Sequence, residues 1–138
     1  MSIEMALTFA AFDTAIRDIH VVDDDAAVRK AISRLLRMAG YDVAVYGSAE
    51  QLLDQLPGQR GTGCILLDVV MPGLDGLAAK KRLKTIGSSL PIVFMTGSTE
   101  PLEDGETDFL RKPVSKEELL DAVERALSAA IEPPTNFR

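Results

Sequence analysis

The chain has 138 residues, 46% of them hydrophobic, which suits one domain with a substantial core and leaves little room for a second. Its 21 acidic residues outnumber 15 basic ones, and the net charge of −6 leads to the expectation of no direct nucleic-acid binding. The single cysteine, Cys64, excludes an internal disulfide. No apolar run approaches the roughly 20 residues that span a bilayer, so a cytoplasmic protein without membrane contact is expected.

Residues 1–18 form a distinct N-terminal extension in which Met5, Phe9, Phe12 and Ile16 recur at the spacing of an amphipathic helix. This stripe belongs either to a docking or dimer-forming helix or to a loosely packed lead-in. Ile19-His20-Val21-Val22 reads as a first strand and runs into Asp23-Asp24-Asp25. The spacing then predicts a helix over 26–39, with Val28, Ile32, Leu35 and Met38 or Ala39 on one face and Gly40 as its stop. Tyr41 to Tyr46 alternates as a second strand. Ser48 and Gln51 make a capping box that opens a short helix carrying Leu52, Leu53 and Leu56, ended by Pro57-Gly58.

Cys64-Ile65-Leu66-Leu67 is apolar throughout, as expected of a strand buried on both faces at the centre of a parallel sheet, with Cys64 as an apolar filler. Asp68 closes this strand, either as a chemically active acid or as the opener of the turn that follows. A helix is predicted from about Asp75 to Thr85 with a thin stripe of Ala79, Leu83 and Ile86, and a fourth strand over 91–95 ends at Thr96-Gly97. Between Gly97 and Thr107 the chain contains Pro101, Gly105 and one large apolar residue, Leu102, so at most one helical turn is expected. Asp108 to Arg111 reads as a fifth strand leading into Lys112-Pro113. Ser115 and Glu118 form a second capping box, and Leu119, Ala122 or Val123, Ala126 and Ala130 give the last helix its buried stripe. Pro133-Pro134 stops it within a tail over 131–138.

Strands alternating with helices imply a doubly wound α/β fold with a parallel sheet and helices on both faces. All strand carboxyl ends then share one edge, where ligands bind in such folds. Asp23, Asp24 and Asp25, Asp68, Thr96 and Lys112 all fall on that edge. Each has an ordinary reading alone: a helix N-terminal charge, a turn residue or a solvated head. Together they suggest phosphoryl transfer to Asp68. Crowded carboxylates repel, and a divalent ion relieves the repulsion; an all-oxygen donor set favours Mg²⁺. With that ion and Lys112, the carboxylates of Asp23, Asp24 and Asp68 are formally neutralised, so a phosphoryl dianion can enter. Lys112 and the Thr96 hydroxyl are placed to hold its oxygens.

Val21-Val22-Asp23-Asp24, Leu67-Asp68 with Met71-Pro72-Gly73-Leu74-Asp75-Gly76, Met95-Thr96-Gly97 and Phe109-Leu110-Arg111-Lys112-Pro113 resemble the signature of the receiver domain of two-component response regulators, over residues 19–130. The resemblance implies a flavodoxin-like five-stranded sheet of order 2-1-3-4-5. It also implies Asp68 as phosphoacceptor, with Asp24, Asp23 (mostly through water), Asp68 and the Val70 carbonyl around Mg²⁺. Thr96 and Lys112 would assist, Asp25 would be a helix cap, Phe109 the switch aromatic, and Lys112–Pro113 a cis bond. Val70 and Ser98 would tune the lifetime of the phosphorylated state. The partners implied are a histidine kinase or histidine phosphotransfer protein and a downstream protein, with a homodimer as one arrangement.

The chain departs from the family pattern where 16 positions separate Thr96 from Lys112, too few for a complete helix between the fourth and fifth strands. That helix is expected to be shortened or absent, which puts the usual dimerisation and output face in question. With no output domain after Pro133-Pro134, a single-domain regulator is expected, acting through protein–protein contact. The alternatives are a receiver-shaped interaction module whose output is independent of phosphorylation, and a metal-dependent hydrolase, which would lack an evident acid-base residue because His20 precedes the acidic cluster. If the extension covers the place of the missing helix, deletion of residues 1–17 changes stability or oligomeric state, measured by thermal unfolding and size-exclusion chromatography.

Overall fold

The computed structural model describes residues 18–56, 63–97 and 109–131, excepting the side chains of 129–131. The strands are β1 (Asp18–Val22), β2 (Asp42–Tyr46), β3 (Cys64–Asp68), β4 (Ile92–Thr96) and β5 (Phe109–Arg111). The helices are α1 (Ala26–Met38), α2 (Ala49–Gln55), α3 (Gly76–Thr85) and α4 (Lys116–Ile131). All strand pairs are parallel, in the order β2-β1-β3-β4-β5. The expected doubly wound topology is therefore observed. The amphipathic extension, the Pro57-Gly58 stop, the segment expected to lack a full helix, Ser98, Asp108 and the Pro133-Pro134 tail lie outside the described residues.

Alternation along each strand divides the core. Ile19, Val21, Cys64, Leu66, Val93 and Met95 face one layer, with Ile32 and Leu36 of α1 and Leu119, Ala122 and Val123 of α4. Val22, Ile65, Leu67 and Phe94 face the other, with Leu52 of α2 and Ala79 and Leu83 of α3. Every residue of β3 is buried, as its uninterrupted apolar run requires. Burial pushes the Cys64 thiol up to about 12, so Cys64 is the inert filler expected.

The helix boundaries follow their caps. Asp25 accepts from the backbone N–H groups of Ala27 and Val28, Ser48 from that of Gln51, and Asp75 from that of Ala78. In the second capping box the Ser115 N–H donates to Glu118 Oε1 and the Glu118 N–H to Ser115 Oγ. On α1 Val28, Ile32 and Leu35 pack toward the core as predicted, with Leu36 fully buried beside them, whereas Met38 is 75% exposed. Ile86 is likewise exposed, because it is the C-cap of α3 and not part of its stripe. Among the described residues no helix is long and apolar enough to cross a membrane.

The turn after β3 is pinned from both ends. Gly76 donates its backbone N–H to the Val69 carbonyl at 2.9 Å. A Cβ there would lie 2.7 Å from the Asp68 carbonyl oxygen and 2.8 Å from the Val69 Cα. Both are backbone atoms, so relief requires moving α3 or the end of β3. Gly76→Ala is expected to lower the unfolding free energy by about 1–3 kcal/mol, measured by urea denaturation.

Candidate functional site at the strand carboxyl ends

β1 and β3 are adjacent, with Val22 level with Leu67. The next residues, Asp23 and Asp68, therefore leave the sheet side by side. Asp23, Asp24 and Asp68 each present a carboxylate oxygen, and these lie within 4.8 Å of one another. Asp23 and Asp68 are buried, whereas Asp24 is exposed. Lys112 reaches this group from the end of β5. Its Nζ donates to Asp23 Oδ2 at 2.8 Å and to Asp68 Oδ2 at 3.2 Å.

Local backbone geometry aims these side chains. The Asp25 N–H donates to Asp23 Oδ1 at 2.9 Å, and the Val70 N–H to Asp68 Oδ1 at 3.3 Å. The Lys112 N–H donates to the Thr96 carbonyl at 2.8 Å, and the Lys112–Pro113 bond is cis. Thr96 is buried at the end of β4, one position beyond Met95, which is level with Asp68. Asp25 is occupied as the cap of α1, as expected of it.

Burial pushes the Asp68 carboxyl up to about 6, reinforced by the charge of Asp23 and opposed by Lys112 and the Val70 N–H. Burial works against the Lys112 ammonium, but its hydrogen bond to Asp23 and the charges of Asp68 and Asp23 outweigh this and hold its pKa above the ordinary lysine value. The donor set is three hard carboxylates, two of them buried and sharing a single ammonium. That composition fits a divalent cation with a preference for oxygen.

Two predicted residues stand further out. Val70 is 70% exposed at the rim. Phe109 is 39% exposed on β5, with the Arg111 guanidinium carbon 5.2 Å from its ring centroid. His20 is buried beside Tyr46, its Nδ1 2.9 Å from the Tyr46 hydroxyl, and burial lowers its pKa. Three contacts near the site escaped the sequence reading. Arg29 donates from Nη1 to the Asp23 carbonyl at 2.6 Å, Glu50 accepts the Leu74 N–H, and Tyr46 accepts the Asp23 N–H on its own carbonyl. For Arg29 the available signal was a cation close to a helix N-terminus, where the macrodipole disfavours it.

Residues 19–124 match the response regulator receiver domain family. The chain belongs to that family. It is 42% identical over 118 residues to the transcriptional regulatory protein FixJ of Bradyrhizobium diazoefficiens, covering 81% of this chain and 57% of FixJ. It is 36% identical over 124 residues to the response regulator protein TodT of Pseudomonas putida, covering 86% of this chain and 54% of TodT. The crystal structure of FixJ-N superimposes with a TM-score of 0.76 at 28% identity, covering 84% of this chain and 97% of that one.

The receiver chain thus spans about half the length of the curated relatives it matches. This overturns the expectation of no direct nucleic-acid binding, because FixJ is a transcriptional regulatory protein. The physical reason is that a net charge of −6 describes these 138 residues and not relatives of about twice the length. An acidic segment does not decide how a protein twice its length meets DNA.

The raised pKa of Asp68 has a consequence for stability. Folding raises this acid from 3.8 to about 6, so the native state favours its protonated form. The ionised group therefore costs stability in full above about pH 6, and the cost vanishes as pH falls through 3.8. In chelator at pH 7.5, Asp68→Asn is expected to raise the unfolding free energy by about 1–3 kcal/mol, and the gain should shrink below pH 6. Urea denaturation across pH checks this.

Proposed function

We propose that residues 19–130 form a phosphorylatable receiver in which Asp68 accepts a phosphoryl group from a histidine kinase or histidine phosphotransfer protein. The observation carrying this reading is the convergence of Asp23, Asp24 and Asp68 within 4.8 Å, with the Lys112 ammonium on two of them.

In this reading a carboxylate oxygen of Asp68 attacks phosphorus as the phosphorus–nitrogen bond of a phosphohistidine breaks, and the imidazole leaves with the electron pair. Asp23, Asp24, Asp68 and the Val70 carbonyl would hold Mg²⁺, which when bound supplies positive charge opposite the incoming phosphoryl oxygens. Lys112 already lies against Asp68 Oδ2 and can pass to a phosphoryl oxygen without leaving Asp23. The Thr96 hydroxyl is a second donor on the same edge. The Val70 N–H holds Asp68 Oδ1, which leaves Oδ2 as the reacting oxygen. Slow attack by water on the acyl phosphate returns the carboxylate. Output follows from a changed affinity for a partner protein, with Phe109 responding through packing because it has no hydroxyl.

Incubation with acetyl phosphate and Mg²⁺ is expected to add the mass of one phosphoryl group to the wild-type chain. Asp68→Ala, or wild type in chelator, should show no gain by intact-mass spectrometry. A gain in Asp68→Ala equal to that of wild type would overturn the assignment.

A further inference from the structure

Every polar atom of Asp23 is engaged. Its N–H donates to the Tyr46 carbonyl at 3.2 Å, Oδ1 accepts from the Asp25 N–H, and Oδ2 accepts from Lys112. The remaining atom is the main-chain carbonyl oxygen, and Arg29 Nη1 reaches it at 2.6 Å. Arg29 lies one turn into α1, where the helix macrodipole disfavours a cation, so a compensating interaction is needed to hold it there. The guanidinium also lies against the turn after β2: a Cβ at Gly47 would come 3.4 Å from Nη1 and 3.9 Å from Gln51 Oε1. Gln51 in turn accepts the Gly47 N–H at 2.9 Å. The guanidinium is therefore fitted between the end of β1 and the start of α2.

We propose that Arg29 is a positioning residue for the acidic cluster, fixing the peptide plane that carries Asp23 and thereby raising divalent-cation affinity without touching the ion. The inference rests on the proposed Mg²⁺ site. Its sign is diagnostic, because two effects of the side chain oppose each other. As a nearby positive charge, Arg29 repels a cation, so its removal would tighten binding. As a clamp on the Asp23 carbonyl it holds a ligand in place, and loss of such an outer contact costs about tenfold in metal affinity. Asp23 Oδ1 is held by the Asp25 N–H just beyond the peptide that Arg29 clamps, so a shift of that peptide reaches the carboxylate, and the buried side chain has little room to readjust. The clamp therefore outweighs the charge.

The test is isothermal titration with MgCl₂ of wild type, Arg29→Ala, Arg29→Lys and Gly47→Ala, with urea unfolding in chelator recorded for each. Arg29→Ala is expected to weaken Mg²⁺ about tenfold while remaining folded, and Arg29→Lys, which keeps a donor, to recover part of the loss. Gly47→Ala retains the charge and sets its Cβ in ordinary contact with Nη1, 3.4 Å away, so Mg²⁺ affinity is expected to stay at the wild-type value; a loss as large as that of Arg29→Ala would place the effect in the turn and overturn the proposal. Tighter or unchanged Mg²⁺ binding in Arg29→Ala overturns the proposal, including the case in which only unfolding stability falls. Absence of Mg²⁺ binding by wild type would instead remove the underlying site reading, so the two failures are distinct.

Discussion

Repulsion between carboxylates forced together at the ends of two neighbouring strands is the constraint on which the rest of this structure depends. The register of β1 against β3 sets Asp23 beside Asp68, and the tight connection to α1 keeps Asp24 within the same group. Burial makes the arrangement more costly, which is why Asp68 is pushed up to about 6 even with Lys112 in contact. A site under such strain gains stability from any added positive charge. The same feature that opposes the ion-free fold thus favours a bound cation.

The surroundings prevent the carboxylates from relieving that strain by turning away. Backbone N–H groups of Asp25 and Val70 hold one oxygen each of Asp23 and Asp68, and Lys112 holds the other. Lys112 comes from β5, two strands away from β3, so its placement depends on the whole right half of the sheet. The loop beyond Asp68 is held by the close approach of Gly76 and by Glu50, whose carboxylate accepts the Leu74 N–H from α2. Preorganisation here is distributed over three strand ends and three helix starts.

The exposed elements contrast with this fixed centre. Val70 stands at the rim beside Asp68, and Phe109 lies open on the edge strand under Arg111. Neither belongs to the two core layers.

Much of this was legible in order along the chain. The unbroken apolar run of β3 required burial on both faces, and the two capping boxes at Ser48 and Ser115 marked helix starts correctly because capping is local. The alternation of strands and helices placed Asp23, Asp24, Asp68, Thr96 and Lys112 on one edge, since a right-handed parallel topology leaves no other choice. What periodicity alone could not rank was which apolar residues of α1 meet the sheet: Leu36 does and Met38 does not, because that depends on where the helix crosses the strands. Charge likewise described the segment and not the longer kind of protein it is related to. The Glu50 contact to Leu74 and the His20–Tyr46 pair were invisible in the sequence, and for the Arg29 contact to the Asp23 carbonyl only a cation near a helix start hinted at it. Each joins a side chain to an atom that becomes its neighbour only after folding, and only the tertiary structure decides such contacts.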